Sequence, residues 1–373
     1  MHILNIIQCT NLGGMEQSNL LEIKGLQARG HHIRLVSLNP LGELAPELES
    51  AGIPSTGLLY RGRLGWRSFF AMRRSFRASN ADAVLMTGHN LVAMLALVGF
   101  GANRRVMAIH YHHFENSQYR WRWWMFYSLA ARVFDHVTFV SGFIRDEALE
   151  ILPHLESMSS VVPSPFLLPE MPTDGARRTA RAALDLPEDA CVVGNAGWLI
   201  PRKRFDVFLR VAARVIAIRP DTVFLVAGEG PERGRLTDLA CELGVERHVR
   251  FIGWCADLGD FFKSLDVLLF NSDFDALGRT PAEAASYGVP VVGSVIEGGL
   301  PELFRSNEEA ILLREHDVDK LSEAVLRLLS NTEERSRLAE CGRTRVAEYG
   351  DIEEHVATFE RLLNSDGTQG RND

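Results

Sequence analysis

The sequence predicts an α/β protein of two similar domains, each a parallel sheet with helices packed on it. Three observations support this fold class. The chain has 373 residues, more than one ordinary core accommodates, and this length suits two domains of about 150–200 residues. Apolar strands alternate with segments of helical period along both halves. Residues 163–175 contain Pro163, Pro165, Pro169, Pro172 and Gly175, which is typical of an interdomain linker.

Composition and charge exclude several classes of protein. The net charge of −8 disfavours general nucleic-acid binding. The five cysteines are odd in number and scattered without a Cys-x-x-Cys pair, which favours a reducing compartment over a disulfide framework. The longest apolar run, residues 91–100, is too short to cross a bilayer, and the first residues indicate a strand rather than a signal peptide. We therefore expect a cytoplasmic protein.

The first domain is expected to cover residues 1–168. Apolar runs predict strands at residues 1–9, 33–38, 83–86, 106–109 and 137–140. Helices are expected after the turn that ends in Gly13-Gly14, from Asn90, and over residues 142–151 behind Ser141 as N-cap. The turn lacks the Gly-x-Gly-x-x-Gly spacing of a dinucleotide fingerprint, which disfavours a nicotinamide dehydrogenase.

Three histidines, His110, His112 and His113, follow the strand predicted over residues 106–109. Only His110 and His112 would share a face of an extended chain, and no acid or cysteine helper is evident, so we expect no metal. His110 stands at the carboxyl end of a strand, where ligand crevices of α/β sheets open. His89 follows the preceding strand and could reach the same crevice.

The second domain is expected to cover residues 176–349. Strands are predicted at residues 191–196, 223–227 and 248–251, and helices at residues 177–184, 318–329 and 332–349. After the first of these strands, Arg202, Lys203 and Arg204 precede a helix, where positive charge is unfavourable against the helix dipole. A surface position is one explanation, and a bound polyanion would remove the conflict. A last helix is predicted at residues 352–363, followed by a polar tail, residues 365–373, expected to be disordered.

Between these elements, residues 270–292 predict a strand, a polar loop, a helix and a second strand. Thr280-Pro281-Ala282-Glu283 indicates a helix start, with Thr280 as N-cap and Glu283 closing a capping box. The amides of such a start can hold a phosphate. Asp275 and Glu283 could then face one ligand. Alternatively, Glu283 serves only the capping box and Asp275 is a solvated acid.

The same stretch contains Asp275-Ala276-Leu277-Gly278, Glu283-Ala284-Ala285 and Gly288-Val289-Pro290-Val291-Val292. In this register the chain resembles the retaining glycosyltransferases of family four, whose pattern is E-G-F-G-L-x-x-x-E-A-x-A-x-G-x-P-V-V. Gly13-Gly14-Met15-Glu16 resembles the family's Gly-Gly-x-Glu motif, and Gly228-Glu229-Gly230-Pro231 its G-x-G-P turn. The resemblance spans nearly the whole chain. It implies the GT-B fold, two Rossmann-like domains facing across a cleft, with the last helix, residues 351–364, packing back on the first.

The positions at which the chain departs from the family include 275, 277 and 198. Asp275 stands where the family usually has Glu, and Leu277 where it usually has Phe. The family pattern G-R-L-x-x-x-K-G corresponds to residues 197–204, in which Lys203 matches the Lys and Trp198 replaces the Arg. Either Arg202 or Arg279 then supplies the second charge, or donor binding is weakened or altered.

The resemblance implies a nucleotide sugar as co-substrate, no cofactor and no metal. Lys203, with Arg202, would stabilise the leaving diphosphate, Glu283 would bind the ribose, and Asp275 the donor sugar. His110 and the Gly13-Gly14 turn would line the junction of donor and acceptor. The donor-binding residues it implies are Gly13, Gly14, Arg202, Leu277, Gly278, Arg279 and Thr280. No carboxylate is an evident nucleophile, so retention would proceed by front-face attack.

Two stretches combine basic and aromatic residues. One, residues 61–77, contains no acid; its cations are Arg61, Arg63, Arg67, Arg73, Arg74 and Arg77. The other begins Tyr119-Arg120-Trp121-Arg122-Trp123-Trp124 and extends to Arg132. Such stretches suit an anionic membrane surface, which would place the protein at the inner face of the membrane. The alternative is an amphipathic helix with core aromatics and a solvated arginine face.

The predicted function is transfer of a sugar to a glycan or lipid-linked acceptor in polysaccharide or lipopolysaccharide assembly. Among relatives of the resembled family, uridine diphosphate donors are commonest and GDP-mannose is second. Two alternatives remain open on the same fold. One is a sugar-nucleotide epimerase, and the other is a non-catalytic nucleotide-sugar-binding protein, which the replacement of the family Arg by Trp198 would favour.

Overall fold

The structure is a computed structural model and describes residues 1–60, 65–111 and 120–364. Contacts between Cα atoms divide the chain into two units. The first unit comprises Met1–Pro165 together with the chain from Gly350 onward, and the second comprises Phe166–Tyr349. The division therefore falls within the proline-rich segment predicted as a linker.

The first unit is built on a parallel sheet of short, buried strands. They are β1 (His2–Ile7), β2 (His32–Ser37), β3 (Ser55–Gly57), β4 (Ala83–Thr87), β5 (Arg104–Ile109), β6 (His136–Phe139) and β7 (Ser159–Val161). Their order is β3-β2-β1-β4-β5-β6-β7. β1 pairs with β2 on one side and β4 on the other, so the strand order reverses at β1. This is the switch point at which doubly wound sheets receive ligands.

Helices connect these strands. They are α1 (Gly14–Ala28), α2 (Ala45–Ser50), α3 (Trp66–Arg77), α4 (Leu91–Leu97), α5 (Arg120–Val133) and α6 (Gly142–Ile151). Two of them start at the predicted caps. The Asn90 side chain accepts from the Ala93 N–H at 3.0 Å, and the Ser141 hydroxyl accepts from the Ile144 N–H at 3.4 Å, which satisfies amides that a helix start leaves unpaired.

The second unit repeats the architecture. Its strands are β8 (Cys191–Ala196), β9 (Thr222–Ala227), β10 (Val249–Gly253), β11 (Val267–Asp275), β12 (Val291–Gly298) and β13 (Ile311–Leu313). They form a parallel sheet ordered β10-β9-β8-β11-β12-β13. Its helices are α7 (Asp174–Ala183), α8 (Phe205–Ile218), α9 (Arg233–Glu242), α10 (Gly259–Ser264), α11 (Arg279–Ser286), α12 (Leu300–Leu303), α13 (Val318–Ser330) and α14 (Thr332–Tyr349). Two parallel-sheet α/β domains, as predicted, are confirmed.

The last helix, α15 (Ile352–Asn364), belongs to the first unit. Val356 and Phe359 lie in the core of that unit, with Leu20 and Ile23 of α1. Gly25 allows the close approach, because a Cβ there would stand 2.3 Å from a Val356 methyl group. Burial of such aliphatic and aromatic side chains, at about 1.5–3 kcal/mol each, holds the helix on this sheet.

Among the described residues, every helix is too short or too polar to span a bilayer. The polar tail predicted to be disordered, residues 365–373, lies outside the described residues.

Candidate functional site

A cluster of charged side chains lies at the switch point of the second sheet. β8 pairs with both β9 and β11, so the chain leaving β8 lies beside the carboxyl end of β11. That chain, residues 197–204, is named the Lys203 loop here. It ends in a 3-10 turn, Pro201–Lys203. Two residues predicted to bind the donor, Lys203 and Asp275, thus come together from positions 72 residues apart.

Lys203 and Asp275 form a largely buried ion pair. The Lys203 ammonium donates to Asp275 Oδ2, and each side chain is 15% exposed. The ammonium also lies 4.9 Å from the centre of the Phe270 ring, at cation–π distance. Asp275 Oδ1 accepts from the Gly278 N–H at 2.7 Å. Both oxygens of the carboxylate are therefore engaged.

Burial raises the pKa of Asp275, but the Lys203 charge and hydrogen bond, the Gly278 N–H and the Arg202 charge together lower it more, so the pKa lies below its ordinary value. Asp275 is accordingly ionised at neutral pH and can only accept hydrogen bonds. The pair presents one fixed cation and one fixed acceptor at the same strand end.

Arg202 adds a second cation beside the pair. Its guanidinium donates to the Phe274 carbonyl at 2.7 Å and lies 5.9 Å from the centre of the Phe274 ring. The side chain is thus aligned along the end of β11. Of the two residues named as substitutes for the missing family arginine, Arg202 adjoins Lys203, whereas Arg279 donates to Glu283 at 2.7 Å.

The predicted capping box at Thr280 is wrong. β11 continues to Asp275, and Gly278 then adopts a left-handed conformation with φ of 87°. The helix begins one residue before Thr280, whose hydroxyl donates instead to the Ala196 carbonyl of β8 at 3.2 Å. Glu283 is not bonded to the cap because it pairs with Arg279. A glycine cap has no side chain, so the first turn of α11 is held by the backbone and by β8.

Gly298, the last residue of the neighbouring strand β12, packs against the Asp275 peptide. Its φ is +123°, and a Cβ there would lie 1.8 Å from the Asp275 carbonyl oxygen. The Gly299 N–H donates to that oxygen at 3.0 Å. A side chain at position 298 would therefore displace the end of β11 or the start of the following turn.

Two residues of this site, Asp273 and His316, were not predicted from the sequence. Arg204 donates to Asp273 Oδ1 at 3.1 Å, and His316 Nε2 lies 2.9 Å from the same oxygen. Arg204 also binds both carboxylate oxygens of Asp206, at 3.0 and 3.2 Å. Side chains two residues apart on a strand lie on the same face, so Asp273 shares a face with Asp275. Asp273 would have been a candidate if β11 had been predicted to extend to Asp275.

Trp198 occupies the position where the resembled family has arginine. Its side chain is largely exposed, and its ring centre lies 6.4 Å from that of Trp254, the residue after β10. An indole carries no charge, so the cations of the Lys203 loop are Arg202, Lys203 and Arg204.

The predicted residues of the first unit lie at the carboxyl ends of its strands. Gly13 is the N-cap of α1, the helix that follows β1. His110 comes directly after β5, and its Nδ1 lies 3.4 Å from the Ser164 hydroxyl. β4 separates β1 from β5 in the sheet. His89 follows β4, and its ring centre lies 5.6 Å from that of Trp123.

No group of three or more His, Cys, Asp or Glu side chains in residues 1–60, 65–111 and 120–364 is arranged to hold a metal ion. His112 and His113, which were weighed as metal ligands, lie outside the described residues.

The two basic and aromatic stretches form helices where they are described; Arg61, Arg63 and Tyr119 lie outside the described residues. α3 buries Met72 and Phe76, and α5 buries Phe126 and Tyr127. Other rings of the same helices face solvent: Trp66 is 80% exposed and Trp121 56%. The aromatic residues thus divide between the core and the surface.

Comparison with known proteins identifies the family. A model described as Glycosyltransferase Family 4 matches residues 12–164, and a model described as Glycosyl transferases group 1 matches residues 176–345. Together the two matches cover most of both units. The chain belongs to glycosyltransferase family four.

Curated relatives match part of this chain. The lipopolysaccharide core biosynthesis glycosyltransferase LpsE of Rhizobium meliloti is 35% identical over 163 residues, which are 43% of this chain and 46% of LpsE. The D-inositol 3-phosphate glycosyltransferase of Stackebrandtia nassauensis is 34% identical over 189 residues, 48% of this chain and 42% of that protein. The matched stretch spans somewhat less than half the length of these relatives.

Solved structures share the GT-B fold over nearly the full chain. Anabaena Alr3699/HepE in complex with UDP superposes with a TM-score of 0.82 at 19% identity, covering 97% of this chain and 99% of that one. WaaG, a glycosyltransferase involved in lipopolysaccharide biosynthesis, superposes with a TM-score of 0.74 at 17% identity, covering 97% and 100%. Identities this low establish the fold alone.

Proposed function

We propose that this chain is a retaining glycosyltransferase that moves a sugar from a nucleotide-sugar donor to a glycan or lipid-linked acceptor in cell-envelope polysaccharide assembly. A UDP-sugar is the first candidate donor and GDP-mannose the second. The observation that carries the proposal is the pair of Lys203 and Asp275 at the switch point of the second sheet. The complex of the similar Alr3699/HepE with UDP, and the relatives named for lipopolysaccharide core synthesis, support it.

In this proposal Lys203 and Arg202 stabilise the leaving diphosphate. The Lys203 ammonium, Arg202 beside it, and the amides of residues 279 and 280 would share the charge that develops as the glycosidic bond breaks, so no divalent metal is needed for this step. Retention would follow front-face attack by the acceptor, with His110 and the Gly13-Gly14 turn lining the junction of donor and acceptor.

The two acids have separate roles. Asp275 is ionised and can accept hydrogen bonds from hydroxyls of the donor sugar. The hydrogen bonds to Lys203 and Gly278 fix the position of the Asp275 carboxylate. The donor sugar would therefore be bound by a rigidly held acceptor. Glu283, held by Arg279, would accept from the ribose hydroxyls. Leu277, Gly278, Arg279 and Thr280 would line the donor.

A nucleotide-release assay tests the proposal. The protein is incubated with UDP-glucose or GDP-mannose, with and without an acceptor extract, and free nucleoside diphosphate is measured. Release that requires acceptor supports transfer. Interconversion of the free sugar nucleotide would instead establish an epimerase, and tight binding without either reaction would establish a non-catalytic binder. A thermal-shift comparison of uridine, guanosine and adenosine diphosphates assigns the base.

The acceptor side of the proposal includes an anionic membrane surface bound by α3 and α5. Along one face of α3, Trp66, Phe70, Arg74 and Arg77 follow one another at spacings of four, four and three residues, and all are exposed. Neither helix contains an acidic residue. Aromatic rings at headgroup level and cations at lipid phosphates suit such a face.

Vesicle co-sedimentation tests this surface. Binding to phosphatidylglycerol vesicles that falls with salt and is absent with phosphatidylcholine is expected. Replacing Arg74 and Arg77 with Gln should abolish it, whereas Arg214→Gln on the second unit should not. Equal sedimentation of both variants would remove the membrane from the proposal.

A further inference from the structure

A chain of polar side chains runs from the Lys203 loop into the second sheet, and the steps proposed above make no use of it. It links Arg204, Asp273, His316, Ser294 and Asn271. We propose that His316 and Asp273 are positioning residues that hold the Lys203 loop in the geometry that binds a diphosphate. This inference rests on the proposed function of Lys203.

The Lys203 loop is fastened to β11 by two successive ion pairs. Asp273 and Asp275 are two residues apart on the strand, so their side chains lie on the same face. Lys203 pairs with Asp275, and the next residue, Arg204, pairs with Asp273 at 3.1 Å. Each pair constrains the other, because the loop cannot shift along the strand without breaking both.

The backbone at Arg204 needs such a constraint. Its φ and ψ are 44° and 42°, the left-handed region that a residue with a side chain rarely adopts. This conformation reverses the chain between the 3-10 turn and the first residue of α8. The guanidinium offsets the unfavourable backbone by binding both oxygens of Asp206 in the first turn of α8, and Asp273 on β11.

His316 anchors Asp273 from the other side. Its side chain is 11% exposed, whereas that of Asp273 is 48% exposed. A carboxylate only accepts, so His316 Nε2 carries the proton of the 2.9 Å bond to Asp273. The Ser294 hydroxyl accepts from the Asn271 amide at 2.8 Å and lies 2.6 Å from His316 Nδ1. With that proton on Nε2, His316 Nδ1 can accept from the Ser294 hydroxyl, so His316 bonds both neighbours.

The consequence concerns the lysine next to Arg204. An exposed ion pair alone is weak, but the buried side of Asp273 is fixed through His316 to β12 and β11. Without that anchor, the Asp273 side chain is less constrained and holds Arg204 against β11 less firmly, while the bonds from Arg204 to Asp206 remain. The Lys203 ammonium is then placed less accurately, and displacements of the order of 1 Å at such a group are costly.

Isothermal titration with UDP, on His316→Asn and His316→Gln, tests the inference. The Asn amide reaches the position of Nδ1, next to Ser294, but offers nothing to Asp273, whereas the Gln amide offers a donor at the position of Nε2. We expect His316→Asn to weaken UDP binding about tenfold and His316→Gln to restore it to within about twofold of wild type. Lys320→Ala, which removes an exposed ion pair on α13, is the control and should bind like wild type.

Equal UDP affinity of wild type and His316→Asn would overturn the inference. If His316→Asn does not fold, Asp273→Asn replaces it as the test variant and should show the same loss of UDP affinity. An affinity of Asp273→Asn equal to that of wild type would overturn the inference. Lys203→Ala separates the two proposals. If wild type binds UDP and Lys203→Ala does not, a normal His316→Asn contradicts only the positioning role. If wild type binds none of the nucleoside diphosphates, both proposals fail.

Discussion

The carboxyl ends of the two sheets carry different chemistry on the same architecture. In the second unit, cations and carboxylates are interlocked: Lys203 with Asp275, and Arg204 with Asp273. In the first unit, the corresponding strand ends are connected by histidine, hydroxyl and amide side chains. His110 lies 3.4 Å from the Ser164 hydroxyl, and Asn90 donates to Gln8 at 2.9 Å.

We interpret this difference as a division of tasks between the two units. Fixed positive charge favours the binding of a diphosphate, and the carboxylates of Asp273 and Asp275 stabilise the partly buried cations at this strand end. The first unit places arginines on the outer faces of α3 and α5, helices that contain no acid. We infer that the second unit binds the charged donor and that the first unit serves the acceptor.

The largest expected effect comes from removing the central cation. Lys203→Ala should lower kcat/KM by about 10²–10³, or roughly 2.7–4 kcal/mol of transition-state stabilisation, as for loss of an oxyanion donor. Lys263→Ala, which removes an ion pair with Asp260 in the same unit, should leave turnover unchanged. Wild-type kcat/KM in Lys203→Ala would contradict the division between the units.

A backbone substitution tests the strand end that carries Asp275. Gly298→Ala places a methyl group against the Asp275 carbonyl at a φ of +123°, and we expect a stability loss of about 1–3 kcal/mol with loss of donor affinity. Gly244→Ala is the matched control, since its φ is +69° and no atom lies within 4 Å of the added Cβ. Urea unfolding and UDP titration of both variants measure the difference. Equal UDP affinity in the two variants would indicate that the Asp275 peptide has no role in binding.

Acid should distinguish the two units. Burial, with the Arg104 charge added, lowers the pKa of His136 in β6 from 6.5 to about 4. Between these values the unfolded chain binds a proton that the folded first unit does not, so stability falls as the pH drops from 6.5 to 4, by at most about 1.4 kcal/mol per pH unit. His136→Gln should reduce this slope in urea unfolding, and His154→Gln, at an exposed position, should not.

The ion pair of the second unit responds to acid in a different range. Because the pKa of Asp275 is lowered from 3.8, its contribution to stability is present above 3.8 and is lost only as the pH falls further. Asp275→Asn, which removes the titrating carboxyl itself, should therefore leave the slope between pH 6.5 and 4 unchanged. An equal effect of Asp275→Asn and His136→Gln on that slope would contradict the assignment.

The smallest effect is expected at the ribose. Glu283→Gln keeps the shape of the side chain and removes its charge, and it should weaken UDP binding by about 1 kcal/mol, the net value of a hydrogen bond. Glu315→Gln, whose native carboxylate pairs with exposed Lys320, is the control. Unchanged UDP affinity in Glu283→Gln would leave the ion pair with Arg279 as the role of this residue.

Much of the fold follows from local pattern. Buried parallel strands are largely apolar, and this pattern predicted β8 at its observed bounds. The N-cap residue Ser141 predicted the start of α6. Strands of three residues, such as β3 and β13, are too short to show a period. Lys203 and Asp275 align with motif positions of the resembled family, and this alignment predicted both residues of the central ion pair.

The rest of the site depends on contacts between distant segments. Residues 271–275 are polar except for Phe274 and were predicted as a loop, but pairing with β12, with Phe274 opposite Glu297, extends β11 through them. That extension moved the start of α11 and changed the role of Thr280. His316 lies 43 residues from Asp273, so no local spacing connects the two.

A structure determined with UDP bound tests the central claim most directly. If the second unit holds the diphosphate, a phosphate oxygen should lie about 2.7–3.2 Å from Lys203 Nζ, with the ribose hydroxyls against Glu283. A diphosphate bound away from both residues would contradict it.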